Sequence, residues 1–283
     1  MTMQRTVAAP ITFQGVGIHS GSVCRVDVHP AEADTGRQFA IGSARIPARA
    51  DFVVDTRRCT TLGHGTARVH TVEHLLSAMW GCGIDNAWIS VDGPEIPILD
   101  GSALPFVEAI QSVGVMEQAR AVRRFVTKGI VQLGEGASQI LVEPASEFEV
   151  ALRVEFDGWP EGRAELAYRE TQEASSIDYQ RDIAPARTFA FRREVEQLLA
   201  AGLARGGSLD NALIITPPSD FSTPLRVASE WAAHKLLDLL GDFALLDARP
   251  RMRVTAVRPG HQINTMTARA LLQSGVQEQK EIE

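Results

Sequence analysis

Residues 69–79 read VHTVEHLLSAM, and residues 234–242 read HKLLDLLGD. At about 100° per residue, a helix over 71–82 gathers His70, Glu73, His74 and Ser77 on one side. Val72, Leu75, Leu76 and Met79 fall mainly on the other. A second helix over 229–243 sets Leu236, Leu239, Leu240 and Phe243 against a stripe of His234, Asp238, Gly241 and Asp242. His234 and Asp238 are four apart, so their side chains project together and can grip one ion. A polar stripe opposite an apolar one also fits plain solvated surface, for each helix taken alone. Taken together, His74, His234 and Asp238 offer three nitrogen and oxygen donors with a fourth position open, the pattern of catalytic zinc.

The motif HTVEH also fits H-x-x-E-H, in which His70 and His74 would both bind metal and Glu73 would act as base. Glu149 is then the distal ligand by spacing, but this arrangement leaves the His234–Asp238 stripe unused and puts the glutamate on a predicted strand.

Outside these helices the first half alternates short strand patterns with turns, as in ITFQGVGIHSG, CRVDVHPAE and NAWISVDGPEIPILDG. A helix follows at about 105–112. Strand patterns resume after QARAVRRFV with VTKGIVQL, SQILVEP and FEVALRVEF, and helices follow at about 191–201, 229–243 and 262–274. Strands then helices, twice over, indicate an α+β fold with two halves of similar plan. The division falls at 1–122 and 123–283. The polar tail SGVQEQKEIE is expected to fray.

The 283 residues carry 28 Lys and Arg against 35 Asp and Glu, a net charge of −7 that argues against a nucleic-acid partner. No apolar run reaches membrane-spanning length, and the N-terminus lacks the apolar core of a secretory signal. Cys24, Cys59 and Cys82 have no C-x-x-C spacing, which suggests neither a disulfide framework nor a thiolate zinc site and fits a reducing cytoplasm. The glycine-rich GGSLDN lacks the lysine of a phosphate loop.

The chain resembles the bacterial UDP-3-O-acyl-N-acetylglucosamine deacetylases, zinc amidases of lipid A (lipopolysaccharide) synthesis. The resemblance runs in order through GVGIHSG (15–21), TVEHLLSAM (71–79), GIDNAWISVDGPEIPILDGSALPFV (83–107), ARTFAF (186–191), GGSLDNA (206–212), HKLLDLLGD (234–242) and GH (260–261). It implies two α+β domains whose helices are sandwiched between two outer sheets, with inserts at about 50–69 and 190–216. His74, His234 and Asp238 would be the zinc ligands, and His70 would not be one; iron(II) suits the same donor types. Glu73 would be the general base toward a water whose pKa the metal lowers. Thr188 would stabilise the oxyanion, and His261 would protonate the leaving amine. Asp242 would orient His261 and keep it cationic, and Lys235 would face the substrate. The implied substrate is a UDP-linked glucosamine with a fatty acyl chain, which would run along the second insert, where EVEQLLAAGLA equally fits a small buried helix. His19 matches a family residue near the site, while His29 and His64 have no supporting pattern and are read as surface. A cytoplasmic monomer is expected. A binding module that merely kept the fold is the remaining alternative; it would have no need of Glu73 and His261. Pro224, Leu225, Arg226 and Ala233 depart from the family's glycine-leucine-arginine turn and the basic residue before the helix histidine, which puts any diphosphate contact there in doubt.

Overall fold

A computed structural model describes residues 2–170 and 177–278. Two large sheets carry the architecture. The first orders its strands Ile11–Val16, Val23–Pro30, Ala87–Asp92, Arg37–Ile41 and Ala44–Pro47. The second centres on Arg249–Val257, which pairs antiparallel with Ser138–Pro144 and parallel with Phe148–Phe156 and Arg124–Val126. Alternation decides which face is buried: Val26 and Val28 are inside while Arg25 points out, and Val150, Leu152 and Val154 are inside while Ala151 points out.

Each sheet contains a parallel pair, and a parallel pair needs a long crossover. Between Arg37–Ile41 and Ala87–Asp92 the chain forms a small three-stranded sheet over residues 53–69, then helix α1, Glu73–Gly81. Between Phe148–Phe156 and Arg249–Val257 it makes another, Phe189–Phe191, Leu213–Thr216 and Asp220–Phe221. Three further α-helices follow α2, Leu104–Val113, among the described residues: α3 is Arg192–Ala200, α4 is Glu230–Phe243 and α5 is His261–Ser274. The fold is α+β, as the order of patterns indicates. Helices α1 and α4 pack on each other, with α2 on α1 and the first sheet and α5 on α4 and the second. Among the described residues no helix is long and apolar enough to cross a membrane.

Three expectations need correction. The first helix begins at Glu73, because Thr71 has φ +60 and His70 forms a bridge with Glu95. His70 therefore stands outside the stripe, its Nδ1 2.9 Å from Thr61 Oγ1. Neither stripe is solvated: Glu73 to Met79 are buried throughout, and α4 is buried on every side except at Lys235. In the tail, Val276–Glu278 pairs with Arg124–Val126, and residues 279–283 lie outside the described residues.

Helices α1 and α4 touch backbone to backbone. A Cβ on Gly241 would lie 2.2 Å from the carbonyl oxygen of Glu73, so only glycine permits this approach. Gly241→Ala would gain up to about 1 kcal/mol of helix propensity. Overpacking against immovable backbone costs more, about 1–3 kcal/mol. A net loss of stability in urea unfolding is expected.

Candidate metal centre

The N-terminus of α1, the middle of α4 and the N-terminus of α5 meet at a cleft of ≈ 280 Å³. His74 is on the first turn of α1; His234 and Asp238 are successive on one face of α4. All three are buried, at 4%, 3% and 2% exposure. Asp238 Oδ1 lies 3.4 Å from His234 Nε2 and 3.9 Å from His74 Nε2, and donor atoms from the three side chains fit within 4.8 Å of one another. His70 and Glu149 are not in this cluster; Glu149 instead pairs with Arg253 at 3.0 Å. The H-x-x-E-H arrangement is thus not what the fold assembles.

These residues fit a divalent cation. Asp238 Oδ1 is buried with no hydrogen-bond donor, a costly state unless a cation completes it. Burial, with His234 close by, pushes His74 down to about 3, so its imidazole is neutral and free to ligate. Burial also lowers His234. Its Nδ1 lies 3.0 Å from the Ala186 carbonyl; donating there fixes the tautomer and leaves Nε2 as donor atom toward the cluster. For Asp238 burial works upward but is outweighed by Lys235 and the histidines, which hold the carboxyl below its usual range. Lys235 Nζ donates to Asp238 Oδ2 at 2.9 Å and lies 5.6 Å from the Phe189 ring centroid.

Beside the cluster stand two groups suited to moving protons. Burial raises Glu73 to about 8; His261 opposes that rise, and Asp238 and Asp242 reinforce it. His261 is raised as well, to about 9. Burial alone would lower it, but Asp242, Asp238 and Glu73 together favour the cation. His261 Nε2 is 3.9 Å from Glu73 Oε1, and Nδ1 is 3.1 Å from Asp242 Oδ2. Thr188 lines the same cleft; its backbone N–H is spent on the Gly101 carbonyl at 2.7 Å, leaving the hydroxyl as its donor.

Several contributors carry no motif. Thr60, fully buried, sends its N–H to Glu73 Oε2 at 3.0 Å and its hydroxyl to Asp242 Oδ1 at 2.5 Å. Glu95 accepts from the His19 and Ser20 N–H groups and the Thr71 hydroxyl, which holds the His19 loop beside the cleft. Glu230 grips Arg187 with both oxygens, at 2.7 and 3.0 Å, and so ties the Ala186–Thr188 segment to α4. One signal for Glu230 was available: it stands four before His234, in the same row as Asp238 and Asp242. At the departures from the family pattern, Arg226 bonds Asp100 at 2.6 Å and Ala233 is buried, so nothing basic precedes His234.

The model of the UDP-3-O-acyl N-acetylglycosamine deacetylase family matches residues 4–273. The chain belongs to this deacetylase family. The UDP-3-O-acyl-N-acetylglucosamine deacetylase of Anaeromyxobacter sp. (strain Fw109-5) is 43% identical over 274 residues, 95% of this chain and 88% of the relative. That of Thermosynechococcus vestitus is 41% identical over 279 residues, 97% and 96% of the two chains. The deacetylase of Leptospira biflexa is 37% identical, covering 95% and 89%.

Two outcomes are expected. Asp238→Ala abolishes bound metal on elemental analysis, whereas His70→Ala retains it. Glu230→Gln strands Arg187 and costs about 3–5 kcal/mol in denaturant unfolding. Burial pushes Glu230 upward, but hydrogen bonds from Arg187 and Arg226 win and hold it below the usual range. Its contribution is therefore present above the unfolded carboxyl value, about 4.3, and is lost as pH falls through the lower folded value. The stability gap between parent and variant should shrink on acidification.

Proposed function

We propose that the protein is a zinc-dependent amidohydrolase that removes the acetyl group from UDP-3-O-acyl-N-acetylglucosamine, releasing acetate and the free amine in lipid A biosynthesis. One observation carries this reading: in a chain of the deacetylase family, His74, His234 and Asp238 converge beside a carboxylate and an imidazole whose proton affinities are both raised.

Zinc at the three donors would supply Lewis acidity toward the acetyl carbonyl and lower the pKa of a bound water. Glu73 receives the proton of the attacking water on Oε1, since Oε2 is already held by the Thr60 N–H. The water oxygen adds to the acetyl carbonyl carbon, and the Thr188 hydroxyl donates to the developing oxyanion. His261, held cationic by the carboxylates around it, gives its Nε2 proton to the amine nitrogen as the C–N bond breaks. Asp242 keeps the ring oriented through Nδ1. Lys235 neutralises the outer oxygen of Asp238 and sets a positive charge at the cleft wall.

The fatty acyl chain runs along the second insert. Helix α3 buries none of its residues and leaves Leu199 exposed, so its apolar side chains are available to a lipid rather than committed to a core. The halves 1–122 and 123–283 act as two domains, each bringing part of the donor set. One chain supplies the whole set, in keeping with a monomer, and three free cysteines suit the reducing cytoplasm.

The test is acetate release from the UDP-sugar by purified protein. Chelation should abolish it and added zinc restore it. Folded protein that releases no acetate in a metal-dependent way, across several acyl lengths, overturns the reading.

A further inference from the structure

The strand connection holding Cys59, Thr60 and Thr61 belongs to the first insert, far in sequence from α4 and α5, yet it enters the proton-handling part of the site. Every polar atom of Thr60 is engaged. Its N–H donates to Glu73 Oε2 at 3.0 Å, and its carbonyl accepts from the Val72 N–H at 3.3 Å. Its hydroxyl lies 2.5 Å from Asp242 Oδ1 and 3.3 Å from His261 Nδ1. A hydroxyl has one hydrogen. Given to Asp242, it leaves the oxygen free to accept, so the His261 Nδ1–H is shared between Thr60 Oγ1 and Asp242 Oδ2 at 3.1 Å. Asn264 Nδ2 supplies the remaining donor to Oδ2 at 2.9 Å, and Thr60 alone serves Oδ1 among the hydrogen bonds described. With Thr60 in place, both oxygens of Asp242 are tied and the carboxylate plane is set.

We infer that Thr60 is a positioning residue for the deacetylation: its hydroxyl holds Asp242 and the His261 ring in register, while its N–H holds the carboxylate of Glu73 facing them. One buried residue of the insert thereby sets the separation between the group that takes a proton and the group that gives one. The inference rests on the deacetylase reading, and the side-chain half is separable by mutation because every variant keeps the backbone N–H.

Valine keeps the branched shape and removes the hydroxyl; serine keeps the hydroxyl and removes the methyl. Thr60→Val should lower kcat by roughly 10- to 100-fold, the scale of one hydrogen bond to a buried charge. KM should stay within roughly threefold, bound metal should be unchanged, and Thr60→Ser should return kcat to within roughly threefold of the parent. On an Asp242→Ala background Thr60→Val should add less than about threefold, because the partner it acts through is gone. Should Thr60→Val fail to fold, Thr60→Ala takes its place against Thr60→Ser. Full kcat without the hydroxyl, a Thr60→Ser enzyme as impaired as Thr60→Val, or full additivity with Asp242→Ala overturns the inference. A parent without activity defeats the deacetylase reading instead. The positional claim is then decided by a crystal structure of Thr60→Val: Asp242 turned away from His261 supports it, and an unmoved pair overturns it.

Discussion

The backbone contact between α1 and α4 is the constraint on which the rest depends. Gly241 lets the carbonyl of Glu73 come where any other side chain would sit. Glu73 precedes His74, and Gly241 lies between Asp238 and Asp242, so this backbone contact falls beside the donor set. Side chains of ordinary length reach a shared ion only if their helices are this close. A packing requirement and a chemical one are thus met by a single missing methyl group.

That closeness puts many charges out of water. Glu73, Glu230, Asp238 and Asp242 are almost fully buried, and isolated buried carboxylates are strongly unfavourable. Each has a distinct remedy. Glu230 is neutralised by Arg187, and Asp242 by His261 with support from Thr60 and Asn264. Asp238 has Lys235 on one oxygen and an unpartnered second oxygen aimed at two imidazoles. Glu73 is left with the least compensation, and its proton affinity rises accordingly. Upward shifts on this carboxylate and on the neighbouring imidazole, to about 8 and about 9, bring both toward the range in which acid–base groups exchange protons.

Two of the parallel strand pairs, Arg37–Ile41 with Ala87–Asp92 and Phe148–Phe156 with Arg249–Val257, explain why the site sits where it does. Each crossover has to travel over its sheet, and each carries a small three-stranded insert before delivering a helix to the centre. The inserts are therefore placed beside the cleft by topology. The first contributes Thr60 and Arg58; the second contributes Phe189 and α3; and Arg58 reaches Glu194 at 3.3 Å to join them. Glu95 and the His19 loop add a further brace, with the Gly206 N–H bonded to the Ile18 carbonyl at 3.0 Å.

Local pattern alone marked the helices and most strands and offered His74, His234 and Asp238 as candidate donors beside the H-x-x-E-H alternative, because period and four-residue spacing are properties of a short stretch of chain; the family resemblance favoured the former set. The order of strands and helices gave the fold class for the same reason. Tertiary structure decided what depends on neighbours distant in sequence. The stripes of α1 and α4 read equally as surface until the helices face each other and bury them. His70 reads as a stripe member until a left-handed Thr71 removes it from the helix. Thr60 and Glu95 have no spacing signature, since their partners lie elsewhere in the chain, 182 residues away in the case of Asp242. Proton affinities belong to the same class: they are set by burial and opposing charge, which exist only once the chain has folded.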